Sequence, residues 1–241
     1  MPREQRLLDT FVVLADTMVD DYDMIDFLQL LAERCVELLG SSEAGVMLAD
    51  RAGQLRHAAC SNERMKIVEL FELQLEEGPC FDAYRMNEPV ISTSREEVEV
   101  RWPRFAPHVR DAGFVSVAAV PMRLRSEVIG ALNLFSTGQL ALGDDELRLS
   151  QALADVATIG ILQQRAIRDA RIASAQLEVA LESRIAIEQA KGIVAERNQI
   201  GVDEAFALVR NYTRSHNRLL VQTAREIIDN SLDPSSLERA D

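Results

Sequence analysis

The sequence predicts an α+β chain: helices and a mixed sheet up to about residue 140, then one long helix, then a small three-helix unit. Three observations carry this reading. Apolar residues recur at three- and four-residue spacing near the N-terminus, and after Gly40 they give way to short apolar runs bounded by turn residues. That change of period separates helix from strand. From Asp144 no proline occurs until Pro234, so a helix can run on unbroken. Two polar breaks, at 198–201 and 215–217, then cut the remainder into helix-sized pieces.

Taken in order, Leu7, Leu8, Phe11, Val12, Leu14 and Ala15 mark a first helix. Ile25, Leu28, Leu31, Ala32, Cys35, Leu38 and Leu39 mark a second, closed by Gly40 as its C-cap. The run 44–49, the turn 50–53 and the run 54–60 form a hairpin. A helix is expected over 63–75 and a short one over 81–86, beyond the Gly78-Pro79 break. Residues 89–92 read as an edge strand that starts at its proline. The segment 103–112 could be a short helix. Strands 115–124 and 128–135 form a second hairpin across Arg125-Ser126-Glu127. Asp144 and Asp145 suit a helix N-terminus. Ile159, Leu162, Ala166, Ala170, Ala173, Leu177 and Leu181 then form a narrow stripe of coiled-coil type. Unbroken from Asp144 to about Arg197, this helix would measure ~80 Å, more than a compact domain needs, so it is expected to join two modules and pair with its copy in a homodimer. Helices over 202–214 and 218–229 follow, the second with Asn217 or Ser215 as N-cap, and the tail from Asn230 is expected to fray.

Composition excludes several classes. With 47% hydrophobic residues in 241 there is material for a proper core. No apolar run approaches the ~18–20 residues that span a bilayer, and Met1–Gln5 is polar, so a cytoplasmic protein without membrane contact is expected. Cys35, Cys60 and Cys80 are widely spaced, which fits reduced, mostly buried thiols. His57, His108 and His216 are scattered, and no Cys or His pair has zinc-ligand spacing, so no metal site is assigned. No phosphate-binding glycine motif occurs and no nucleophile has a visible paired base, so an enzyme is not expected.

The net charge of −13 argues against generic nucleic-acid binding, but it is unevenly spread. Residues 1–165 hold 16 basic against 27 acidic side chains, and 166–241 hold 10 against 12. Within 184–225 the count is seven basic against four acidic, a local +3, with Arg210, Arg214 and Arg218 around the second break. A solvated helix face and a nucleic-acid contact both fit that composition.

The segment 180–197, ALESRIAIEQAKGIVAER, resembles the opening helix of ANTAR domains. Val202–Phe206 and His216–Leu220 resemble that domain's second and third helices, so the likeness covers about 174–230. It departs at Val194-Ala195, where a larger pair is common, and at Thr223, where an apolar residue is usual. The resemblance implies binding of nascent RNA, favouring tandem hairpins with six-nucleotide loops, and transcription antitermination. The segments 77–84, 88–91, 115–122 and 130–134 make residues 5–165 similar to a GAF domain of the sort that precedes ANTAR in actinobacterial-type proteins. That likeness implies a sensory module on an antiparallel sheet flanked by helices, with an unknown small-molecule signal and no assigned cofactor. The expected division is a GAF domain over 1–143, a coiled-coil linker over 144–180 and an ANTAR unit over 181–241.

Loop RNA is read by stacking and polar contacts to splayed bases, with basic side chains on the phosphates. Phosphate contacts are therefore expected from Arg184, Lys191, Arg210, Arg214 and Arg218, and loop contacts from Arg197, His216 and Asn217. Lys191 matches the family's Ala-Lys-Gly motif, and Arg184 lies two turns before it on the same face. Gly192, within that helix, is expected to admit another helix backbone; close approach of RNA is the alternative. In the front module Cys80, Asp82, Trp102 and Asn133 are candidates to line a ligand pocket; Cys80 as a buried thiol and Asn133 as a bonded core residue is the other reading. Redox sensing by Cys60 or Cys80 would need an exposed, acidic thiol. Haem binding through His108 has no supporting motif. The competing functional reading is a dimeric GAF signalling protein whose C-terminal helices dock a protein partner.

Overall fold

The computed structural model describes residues 3–17, 23–139 and 142–237. The elements are α1 (Arg3–Thr17), α2 (Met24–Leu39), β1 (Glu43–Ala49), β2 (Leu55–Cys60), α3 (Glu63–Leu75), α4 (Pro79–Met86), β3 (Val90–Ser92), α5 (Arg95–Arg101), α6 (Ala106–Asp111), β4 (Ser116–Leu124), β5 (Glu127–Ser136), α7 (Asp144–Asn198), α8 (Val202–Ser215) and α9 (Leu220–Ile228). A 3-10 turn covers Pro234–Ser236. Contacts divide the chain into a sheet unit, Met1–Arg165, and a helical unit, Ala166–Asp241.

The sheet has the order β2-β1-β5-β4-β3. Every pairing is antiparallel. The mixed sheet expected from the residues is thus corrected, and the antiparallel sheet implied by the GAF likeness is what forms. Short loops explain the two hairpin pairings, β1–β2 and β4–β5, which turn too tightly for a parallel crossover, since that needs a dozen residues or more. β3 covers only Val117–Ala119 of β4, so Pro121 sits where β4 has become an edge and its missing N–H breaks no ladder.

Side chains alternate across the sheet with period two. Ala118, Val120, Leu132 and Leu134 face one core, covered by α2 and by Leu153, Ala154, Ala157 and Ile161 of α7. Val117, Ala119, Ala131 and Phe135 face the other, under α3 to α6. Because both faces are covered, β4 and β5 are buried almost throughout, and they read as continuous apolar runs rather than alternating ones.

α5 is absent from the sequence expectation. Its seven residues bury one apolar side chain, Val98, while Val100 is 82% exposed, so no stripe announces it. Its sequence signal is the cap, in which Ser94 accepts from Glu97 N–H at 3.3 Å.

In the helical unit, Ala186, Ala190 and Val194 repeat every four residues on α7 and pack with Ala205, Leu208 and Val209 of α8 and Ala224 and Ile227 of α9. All three helices end alike. Gln199, Asn217 and Asn230 adopt positive φ of 54°, 50° and 57°. Ile200, Arg218 and Ser231 N–H then donate to Ala195, Thr213 and Glu226 carbonyls at 3.0, 2.9 and 2.9 Å, the Schellman closure that satisfies last-turn carbonyls. Two expectations fall here. Asn217 and Ser215 are not the N-cap of α9, because Asn217 is spent closing α8 and Ser215 is its last residue. α9 starts behind Leu219 with no side-chain cap. Up to Leu237 the tail does not fray: Asn198 Nδ2 donates to Pro234 O at 3.1 Å, and Pro234 and Leu237 are buried, while 238–241 lie outside the described residues. Thr223 is fully buried, its hydroxyl donating to Leu219 O at 3.4 Å, which accounts for a polar residue at an apolar position.

Candidate functional site

The basic side chains within 184–225 fall into two groups. Arg184, Arg210 and Arg214 are exposed, and among the described residues none of them forms an ion pair. The remaining cations are engaged. Arg218 makes a bidentate pair with Glu226 at 2.7 and 3.0 Å. Arg225 lies 3.9 Å from Glu182. Lys191, whose side chain is only 16% exposed, bonds both Glu188 oxygens at 3.0 and 2.9 Å and lies 5.3 Å above the Phe206 ring. Arg197 donates to Asn230 Oδ1 at 2.6 Å and so ties the end of α7 to the end of α9. Glu182 and Glu226 lie just outside the window 184–225, and including them lowers its charge from +3 to +1. Positive potential therefore depends on where the cations stand more than on their excess.

The end of α8 gathers His216, Asn217 and the flanking arginines. The His216 ring stacks on Tyr212 with centroids 4.0 Å apart and planes at 24°. Its Nδ1 lies 2.9 Å from Tyr212 O and 3.0 Å from Ser215 Oγ. Gly192 is exposed, and a Cβ built on it would meet nothing within 4 Å, so among the described residues no other helix backbone of the same chain approaches it closely.

In the sheet unit, the four sequence candidates divide into two pairs. Trp102 is 2% exposed and its Nε1 donates to Asp82 Oδ2 at 2.9 Å, which joins the end of α5 to α4. Cys80 and Asn133 are fully buried and meet at a centre the sequence reading missed. Asn133 Nδ2 donates to Glu72 Oε2 at 3.1 Å and to Glu69 Oε1 at 3.4 Å. Cys80 N–H donates to Glu72 Oε1 at 2.7 Å, and His57 Nδ1 lies in hydrogen-bond contact with Glu69 Oε2 at 2.6 Å. Glu69 and Glu72 are both 0% exposed on one face of α3. Gly45 and Gly78 give them room: a Cβ would fall 2.1 Å from Glu69 Oε1 and 2.4 Å from Glu72 Oε1.

Burial disfavours the ionised forms. It pushes the Glu72 carboxyl up to about 8, with the Glu69 charge adding to the effect and the Cys80 N–H opposing it. Burial likewise raises Glu69, against the pull of His57. His57 borders a groove of about 300 Å³ that is also lined by Cys60, Asn62 and Lys66, so this centre has a route to solvent. The thiols do not suit redox sensing. All three cysteines are buried, and burial raises Cys60 to about 11 and Cys80 well above the usual thiol value. His108 stacks on Phe71 at 3.7 Å. Among the described residues no group of three metal-ligating side chains comes together, and no helix is long and apolar enough to cross a membrane.

The GAF domain family model matches residues 21–161 and the ANTAR domain model matches residues 175–228. No curated protein matches the chain. Among solved structures, the chain resembles the free methionine-R-sulfoxide reductase of Neisseria meningitidis in complex with its substrate, with a TM-score of 0.53 and 17% identity over 68% of this chain and 91% of that one. It also resembles the GAF domain of a phosphoenolpyruvate-protein phosphotransferase from Acinetobacter, with a TM-score of 0.52 and 17% identity over 68% of this chain and 97% of that one. A domain of a two-component sensor histidine kinase from Sinorhizobium meliloti gives a TM-score of 0.52 and 15% identity, over 61% of this chain and 95% of that one. At such identities the likeness concerns the fold. With its antiparallel sheet covered on both faces and its helical unit built from the end of α7, α8 and α9, the chain belongs to the GAF domain family and joins that domain to an ANTAR domain, the make-up of a signal-sensing regulator.

Proposed function

We propose that the protein binds tandem RNA hairpins through its ANTAR domain and antiterminates transcription in response to a signal received by its GAF domain. The single observation that carries this reading is the ANTAR match over 175–228 on a unit that leaves Arg184, Arg210 and Arg214 exposed and without ion pairs. Free guanidinium groups can release counterions from phosphate with no internal pair to break. Arg218 and Lys191 join the contact by exchanging Glu226 and Glu188 for phosphate, at a cost that makes their contribution smaller. His216 contacts a loop base. Arg197 and Asn217 serve mainly to hold the ends of α7 and α8.

The same reading makes the protein a cytoplasmic homodimer through α7. Leu177, Val179, Leu181 and Ile185 are 71%, 64%, 59% and 49% exposed, a run of apolar side chains uncovered on a single chain. Two weak hairpin sites held at a fixed spacing gain from effective concentration, so a signal that changes how the paired helices meet changes RNA affinity. α7 is one uninterrupted helix whose early residues belong to the sheet unit's core and whose late residues belong to the helical unit's core. Both domain families are regulatory, and no catalytic step is proposed.

An electrophoretic mobility assay tests this with a two-hairpin RNA, its scrambled counterpart and protein of measured oligomeric state. A shift for the hairpins alone supports RNA binding. A confirmed dimer that shifts neither RNA at low salt supports the protein-docking reading.

A further inference from the structure

We propose that the stacked pair Tyr212–His216 is a preformed platform on which one unpaired base of the bound RNA loop stacks, an assignment that rests on the RNA-binding reading above. Tyr212 is half-buried against the core of the helical unit. His216 lies on it at 4.0 Å and 24°, and is itself exposed. One face of the imidazole is therefore taken by the phenol, and the opposite face is open to solvent.

The ring is fixed before any ligand arrives. A carbonyl oxygen only accepts, so the 2.9 Å contact between Tyr212 O and Nδ1 requires Nδ1 to carry its proton. Nε2 is then the ring nitrogen left for a ligand. The backbone beneath is held as well: Asn217 has a φ of 50°, and Arg218 N–H donates to Thr213 O at 2.9 Å. A ring immobilised in this way loses little rotamer freedom on binding. Single-stranded RNA supplies the matching chemistry, because every base has a π-face and loop bases are splayed out of the helix. Arg214 and Arg218, two residues to either side in the chain and both exposed, supply cations for the phosphates flanking such a base.

The test measures fluorescence anisotropy of a labelled two-hairpin RNA with full-length protein. The proteins are wild type, His216→Ala, His216→Phe and Tyr212→Phe, and each loop nucleotide is replaced in turn by an abasic residue. His216→Ala is expected to weaken binding about 5- to 100-fold with the salt slope unchanged, because the lost contact carries no phosphate charge. His216→Phe and Tyr212→Phe keep a stacking ring and should bind within about threefold of wild type. One abasic position should produce a loss similar to that of His216→Ala, and the two losses should not add. The platform is overturned if His216→Ala binds as wild type, if His216→Phe fails to restore binding, or if the loss adds in full to that of every abasic position. A wild-type protein that binds no hairpin RNA overturns the RNA-binding reading itself, and the platform with it.

Discussion

In the sheet unit the polar side chains of greatest interest are buried or half-buried and bonded to one another, whereas in the helical unit they stand in solvent and, among the described residues, several form no ion pair. Glu69, Glu72, Asn133 and His57 share hydrogen bonds, with two carboxyls at 0% exposure and Asn133 Oδ1 left without a partner. Arg184, Arg210 and Arg214 are exposed and, among the described residues, form no ion pair. The difference teaches where each unit is sensitive. A buried network loses stability when one member changes, because the remaining groups are left desolvated. Exposed cations can be removed at little cost to the fold, and their loss shows only when a charged ligand is present.

The pH dependence of the sheet unit gives the largest expected effect. Glu72 binds its proton more tightly folded, with its carboxyl up from 4.5 to about 8. The folded state therefore holds more protons than the unfolded one between those values, and stability falls as pH rises through that window. The whole span corresponds to at most about 5 kcal/mol. Thermal unfolding followed from about pH 5 to about pH 9 should show a falling midpoint, and Glu72→Gln should flatten the curve. A midpoint independent of pH in the wild type would break the contrast at its buried end.

Next comes Asn133→Leu, which removes the one amide shared by both carboxyls. It should cost about 3 kcal/mol, read as a lower urea midpoint, with RNA affinity per folded molecule unchanged. Arg214→Ala should do the reverse. RNA affinity should fall by about 1–2 kcal/mol with a salt slope shallower by about one, and the unfolding midpoint should stay in place. The smallest effect is expected from Lys191→Ala. Its ammonium is already held by Glu188 and lies over Phe206, so its loss should weaken RNA binding by under about 1 kcal/mol. A loss as large as that of Arg214→Ala would mean that exchanging Glu188 for phosphate costs Lys191 little.

Much of the architecture was legible in the sequence, and the reasons are local. Gly40 with a φ of 68° closes α2 where its glycine marks the place, and the proline-free stretch after Asp144 does form one helix of 55 residues. α3 shows why the centre of the sheet unit was not legible. Its bounds follow from Asn62 as N-cap, which accepts from Met65 N–H at 3.0 Å, but its buried face mixes apolar Met65 and Val68 with two acids. Glu69 and Glu72 are buried, while Ile67 and Leu70 are 55% and 50% exposed. Two acids on a helix read as its wet side, and only the partners supplied by β2, β5 and α4 reverse that. Gly45 and Gly78 were the available signal: small residues where carboxyls need space. In the helical unit the charged residues were legible by type, but their availability was not. Nothing in the order of residues shows that Arg218 is paired with Glu226, eight positions on, or that Arg197 reaches Asn230.

The central claim is that exposed, unpaired arginines of the helical unit hold RNA. The most direct measurement is the affinity of the full chain for a two-hairpin RNA and for its scrambled counterpart, titrated at several salt concentrations. The wild type is compared with a variant in which Arg184, Arg210 and Arg214 are all replaced by alanine. The account predicts tight binding of the hairpins alone by the wild type, and a salt slope shallower by about three in the variant. Equal affinity for both RNAs, or a variant whose slope matches the wild type, would contradict it.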